Sequence, residues 1–267
     1  MNLEELIDPV AALCTAAGAD IMAIYDTDFD VQHKDDDSPL TRADIASHRR
    51  LVAGLEALAP EVPIISEEAG LPPFSERSAW NTYWLIDPLD GTKEFVNRNG
   101  EFTVNVALIH ETKPVLGVVH VPVAQTTYLG CTGHGAERRD ADGSGERITV
   151  AVESANPVRV VGSRSHRGDS LNRFLELVGN VELHAVGSSL KFCYVAEGSA
   201  DIYPRLGPTS EWDTAAAQAV VEQAGGQVLK LDGTPVGYNT KEEILNPHFL
   251  VIGPQDHDWV GIAQTNG

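Results

Sequence analysis

Apolar residues recur along this chain with two different periods, and the change of period maps its elements. Between residues 3 and 26, Leu3, Leu6, Ile7, Val10, Leu13, Ile21 and Ile24 fall at the spacing of one broad apolar helix face. Pro9 and Gly18 weaken or kink that helix. Residues 34–39 are a polar loop. Thr41 then suits an N-cap, with an acid at Asp44 three residues on. A second helix runs from there to about Leu58, with Ile45, Val52, Leu55 and Leu58 facing inward. Short apolar runs at 62–65, 83–86, 102–110, 115–121 and 126–129 read as strands. A Pro-rich loop fills 70–78, and a Lys113-Pro114 turn joins two of the strands. Residues 140–145 are the strongest loop or boundary signal. Beyond about residue 151, strands at 158–161, 181–186 and 200–203 alternate with helices at 170–178, 188–196 and 212–224. Gly225-Gly226 stops the last helix, and short strands fill 227–252. The pattern predicts an α/β (α+β) protein. Its halves, 1–150 and 151–267, lie around one cleft, the first antiparallel-rich and the second α/β.

Composition narrows the function. Of the 267 residues, 39 are Asp or Glu and 19 are Lys or Arg, a formal charge of −20. That balance disfavours a nucleic-acid surface, which needs basic clusters. It also repels a phosphorylated substrate unless metal ions or local cations reverse the sign. Cys14, Cys131 and Cys193 are scattered, with no CxxC spacing, and read as free core thiols of a reducing compartment. The acidic N-terminus lacks the basic region of a signal peptide, and no apolar run approaches a membrane span. A cytoplasmic protein is expected, at most peripheral at the inner face of a membrane.

Three acidic places carry candidate chemistry. The apolar run 83–86 ends at Asp87-Pro88-Leu89-Asp90-Gly91-Thr92, where two carboxylates crowd one turn. Like charges this close need a proton or cation between them, and oxygen-rich turns suit hard divalent cations. Glu67 ends its own strand twenty residues earlier, and Asp213 opens a helix behind Trp212. Each also has an ordinary reading: an Asx turn, a surface turn, and a helix-capping acid.

Trp84-x-Ile86-Asp87-Pro88-Leu89-Asp90-Gly91-Thr92-x-x-Phe95 and Trp212-Asp213-x-Ala215-Ala216 resemble the two signatures of the inositol monophosphatase superfamily. Residues 91–105, 187–193 and 203–209 resemble its CysQ branch, the 3′(2′),5′-bisphosphate nucleotidases. The resemblance runs from the first helix to about residue 252. It implies the sugar-phosphatase fold, a layered αβαβα sandwich, and two to three Mg²⁺ ions. One ion would be held by Glu67, Asp87 and the Leu89 carbonyl, a second by Asp87, Asp90 and Asp213, and a looser third near Glu67. Asp44 and Thr92 would be the catalytic pair that orients and deprotonates water. Gly91 and Thr92 amides would hold the scissile phosphate beside Glu67, Leu89, Asp90 and Asp213. Ser188, Ser189, Lys191 and Arg205 would take the second phosphate or the nucleotide, and His166 the base. The implied reaction is Mg²⁺-dependent, lithium-sensitive hydrolysis of adenosine 3′,5′-bisphosphate to AMP and phosphate. The sulfated analogue PAPS would be a further substrate, within sulfate assimilation. The partner is thus a small molecule, with no nucleic acid and no stable membrane span, and the protein a monomer or homodimer. Inositol monophosphatase or fructose-1,6-bisphosphatase-like chemistry is the enzymatic alternative, and a non-catalytic nucleotide or metal sensor the other.

Overall fold

The computed structural model describes residues 2–28, 31–33, 39–163 and 168–265. The chain opens with α1 (Glu4–Tyr25), the two-residue strands β1 (Gln32–His33) and β2 (Pro39–Leu40), and α2 (Arg42–Leu58). β3 (Ile64–Ser66) runs into a single 3₁₀ turn (Glu67–Ala69), then α3 (Phe74–Arg77), β4 (Thr82–Asp90) and α4 (Thr92–Val96). An antiparallel series follows: β5 (Thr103–His110), β6 (Lys113–Val121), β7 (Thr126–Cys131), β8 (Gly135–Arg139) and β9 (Gly145–Arg147). The remaining elements are β10 (Val158–Ser163), α5 (Asp169–Val178), β11 (Val181–Val186), α6 (Leu190–Ala196), β12 (Ile202–Arg205), α7 (Ala215–Gln223), β13 (Gln227–Lys230), β14 (Phe249–Ile252) and α8 (Trp259–Gln264).

β3 to β9 form a seven-stranded sheet in sequence order, and the second sheet has five strands in the order β11-β10-β12-β14-β13. Three apolar clusters hold the layers together. Leu6, Val10, Ile21 and Leu55 of α1 and α2 pack on Trp84, Val104 and Val118 of the large sheet. Phe192, Val195 and Val220 of α6 and α7 fill the space between the sheets with Val119, Tyr203 and Val251. Phe174 and Trp259 of α5 and α8 cover the outer face of the small sheet through Val160 and Leu250. The result is the αβαβα sandwich. α7 lies so close to the large sheet that a Cβ on Gly130 of β7 would come 2.5 Å from the Val220 Cα, and Gly117 of β6 is equally closed by Ala216 and Ala219.

Several elements differ from the sequence expectation. In α2, Leu51 and Leu55 are buried while Leu58 is 38% exposed, because the helix face rotates with 3.6-residue pitch. The Pro-rich segment contains α3, which Pro73 can precede because it blocks no helical bond there. The β5–β6 turn is made by Glu111 and Thr112, both at positive φ, and Lys113 and Pro114 pair within the ladder. Residues 140–144 are a hairpin turn between β8 and β9. Asp213 lies before α7, whose N-cap is Thr214. α8 falls beyond the last predicted element, at residue 252. α1 is long and apolar enough to cross a membrane by length and composition, contrary to the expectation, but its apolar side packs on the large sheet. All three cysteines are free and buried.

Candidate active site

The parallel register of β3 against β4 pairs Ser66 with Ile86. Glu67, the first residue past the end of β3, and Asp87, within β4, therefore lie side by side at the same level of neighbouring strands. β4 continues past Asp87 to Asp90 through a bulge, because Pro88 donates nothing to the ladder. Gly91 then turns the chain at φ 93°, a region other residues resist, and Thr92 starts α4. From the other half, Asp213 is set by a turn in which Thr209 Oγ1 donates at 2.6 Å and the Ser210 amide at 2.9 Å to its Oδ2.

These pieces meet. Carboxylate oxygens of Glu67, Asp87 and Asp213 lie within 4.8 Å of one another. Asp90 stands beside this trio rather than in it. Its Oδ2 accepts from the Ser189 amide at 2.6 Å, and from Asn105 Nδ2 at 3.4 Å and Thr103 Oγ1 at 3.5 Å. Burial pushes the Asp87 carboxyl well above the usual carboxylate range, and the charges of Glu67, Asp90 and Asp213 push the same way. Burial, then Asp213, raises Asp90 to about 7. Burial raises Asp213 against its own hydrogen bonds. Lys191 and Arg205 offset only part of this charge at Asp90 and Asp213, and a hard divalent cation fits the donor set.

Asp44 sits in the first turn of α2 and closes a capping box with Thr41, whose amide and hydroxyl both donate to Oδ2 at 2.7 Å. Its Oδ1 accepts from Thr92 Oγ1 at 3.2 Å. Burial raises the Asp44 carboxyl, opposed by the Thr41 bonds. Ser47, one turn on, donates to the Pro88 carbonyl at 2.7 Å, tying α2 to the acidic turn.

The cleft continues toward the small sheet, with a volume of about 280 Å³ between Glu67, Thr92, Ser188, Lys191, Arg205 and Asp213. Lys191 is 5% exposed. Its Nζ donates to the Val186 carbonyl at 3.3 Å and to that of Ser188, and burial lowers it to about 8 despite Asp90. The Arg205 Nη2 donates to the Pro208 carbonyl, while its Nε is buried with no hydrogen-bond partner among the described residues. His166 lies outside the described residues.

Sequence reasoning missed the polar supports. Thr103, Asn105 and Ser189 form a buried set, with Ser189 Oγ 2.8 Å from Thr103 Oγ1 and 2.9 Å from Asn105 Oδ1. Thr103 and Asn105 share one face of β5 at period two, inside an otherwise apolar strand, and that was the available signal.

The model of the inositol monophosphatase family matches residues 2–260. The chain belongs to that family. The 3′(2′),5′-bisphosphate nucleotidase CysQ of Salmonella typhimurium is 46% identical over 248 residues, covering 92% of this chain and 99% of that protein. The enzyme of the same name from Escherichia coli K12 is 47% identical over the same length. The crystal structure of CysQ from Bacteroides thetaiotaomicron superposes with a TM-score of 0.81 at 38% identity, covering 92% of this chain and 97% of that one. An IMPase from Thermotoga maritima gives 0.78 at 25% identity, covering 96% and 95%.

Proposed function

We propose that this chain is a Mg²⁺-dependent 3′(2′),5′-bisphosphate nucleotidase that hydrolyses adenosine 3′,5′-bisphosphate to AMP and phosphate. The observation that carries the reading is the convergence of Glu67, Asp87 and Asp213 within 4.8 Å, at one end of a cleft whose far side holds Lys191 and Arg205. The acids suit one phosphate through metal, and the cations suit a second phosphate directly. Identity of 46–47% to enzymes named for this activity supports the same substrate class.

Glu67, Asp87, Asp90, Asp213 and the Leu89 carbonyl would hold two or three ions. When bound, these supply charge neutralisation at the phosphate and its leaving oxygen, and lower the pKa of water. The Thr92 hydroxyl, 3.2 Å from Asp44, orients the attacking water and passes its proton to the Asp44 carboxylate. The raised Asp44 carboxyl makes it a better proton acceptor than a solvated aspartate. Gly91 and Thr92 amides support the scissile phosphate. Arg205, which lines the cleft, brings its guanidinium charge to the second phosphate, and Lys191 holds the Ser188-Ser189 turn at the cleft wall through its bonds to Val186 and Ser188. The meeting of Glu67 and Asp87 from residues 1–150 with Asp213 from 151–267 supports reading the two halves as one catalytic unit. PAPS, which carries the same 3′-phosphate, is a second substrate of this reading, and sulfate assimilation its setting.

The test is phosphate release in Mg²⁺ from adenosine 3′,5′-bisphosphate, an inositol monophosphate and fructose 1,6-bisphosphate. The adenosine compound is expected to be turned over with the highest kcat/KM. A preference for the inositol phosphate would move the protein to another branch of the family.

A further inference from the structure

Behind the carboxylates runs a buried polar chain of which no member lines the cleft among the described residues. Arg77, 1% exposed, ends α3, the short helix that follows the Glu67 turn. Its Nε donates to the Pro72 carbonyl at 3.2 Å. Its Nη1 donates to Asn239 Oδ1, and its Nη2 to the Lys241 carbonyl at 3.1 Å and to that of Glu242. Asn239 returns a bond from Nδ2 to the Arg77 carbonyl at 2.6 Å, and its backbone N–H donates to Glu211 Oε2 at 2.8 Å. Glu211, 2% exposed, stands two residues before Asp213. The same loop grips that segment again, since the Glu211 amide donates to the Ile244 carbonyl at 2.9 Å and Asn246 Nδ2 to the Ser210 carbonyl at 2.9 Å.

We infer that Arg77, Asn239 and Glu211 are positioning residues that set the separation of Glu67 and Asp213 and thereby the affinity for the divalent cation. The inference rests on the metal-centre reading above. Its physical ground is a comparison of costs. A buried guanidinium and a buried carboxylate joined through the side chain and the backbone of one asparagine give no stability that apolar packing would not give. They do give a fixed geometry, because every bond in the chain is directional and all three side chains are buried. The carboxylates they support repel one another and spread apart when nothing braces them. The brace joins chain segments far apart in sequence, the Arg77–Asn239 bond alone spanning 162 positions. Holding the ligands at binding distance in advance removes the reorganisation cost from the binding step.

The experiment is titration with Mn²⁺ in the absence of substrate, following free Mn²⁺ by electron paramagnetic resonance. Asn239→Ala and Glu211→Ala are expected to raise the Kd by about tenfold or more, the usual scale for loss of a group that orients metal ligands. Glu211→Gln keeps an oxygen for the Asn239 amide and is expected to stay within about twofold of wild type. Phe174→Leu, in the outer layer of the small sheet, is the control for general destabilisation and leaves the Kd unchanged. Folded Asn239→Ala protein that binds Mn²⁺ as wild type does overturns the inference, and so does an equal loss in Phe174→Leu. If the alanine variants do not fold, Asn239→Ser carries the same comparison, and unchanged affinity there decides against the brace. A wild-type protein that binds no Mn²⁺ overturns the metal reading itself, and the inference with it.

Discussion

At the scale of single residues, the acidic site trades stability for binding. Asp87 is buried among three other carboxylates, and its folded pKa is raised. A carboxyl with a raised folded pKa stabilises the fold while protonated and loses that contribution as pH rises from the unfolded value through the folded one. At neutral pH the metal-free protein therefore carries the cost. Asp87→Asn keeps an oxygen to accept from the Leu89 amide, a bond of 3.1 Å in the wild type, and removes one charge. It is expected to melt at a higher temperature than wild type in EDTA, to show none of the Mg²⁺-dependent rise in Tm expected of wild type, and to lose turnover. Calorimetry with and without Mg²⁺ checks this. A lower Tm in EDTA would show that the charges are not strained.

At the scale of elements, the site depends on how closely α7 approaches the large sheet. Asp213 lies just before α7, and the helix rests on Gly117 and Gly130. Gly130→Ala would place a methyl against the Val220 backbone, which cannot give way as a side-chain end can. The expected loss is about 1–3 kcal/mol in urea unfolding, the scale of overpacking. A weaker Mg²⁺ requirement curve should accompany it as α7 lifts and carries Asp213 away. Unchanged stability would mean that the helix slides freely. The β4 bulge is the other decisive element. The apolar run 83–86 announces a strand, but only pairing with β5 shows that the strand resumes after Asp87, with Asp90 opposite Thr103.

At the scale of the whole molecule, burial sets the pH response. His120, 3% exposed, lies under α1 with its Nδ1 2.9 Å from Thr127 Oγ1, and burial lowers it to about 4. The unfolded chain takes up this proton near 6.5, so stability falls as pH drops from about 6.5 toward 4, by up to about 3 kcal/mol for this group. Glu211 opposes it, because burial raises that carboxyl to about 7 and the folded state gains stability as pH falls from 7 toward its unfolded value. His120→Gln is expected to flatten the loss of Tm between pH 6.5 and 5, measured against wild type. An unaltered slope would show that His120 is solvated in the folded state.

By itself the sequence determined most of the element order, because periodicity and capping are local. The Thr41–Asp44 capping box and the Gly225-Gly226 stop could be read three residues at a time. The crowded turn at Asp87 and Asp90 was visible for the same reason. Tertiary structure alone decided which acids meet, since Glu67, Asp87 and Asp213 come from three segments and no local rule sets their separation. It also decided what Asp90 bonds to, a Ser189 amide 99 positions away. Supports such as Arg77, Asn239 and Glu211 were hidden because a polar residue in a loop reads as solvated until a distant segment buries it. Burial is a property of the whole packing, and the charge states of the site follow from burial.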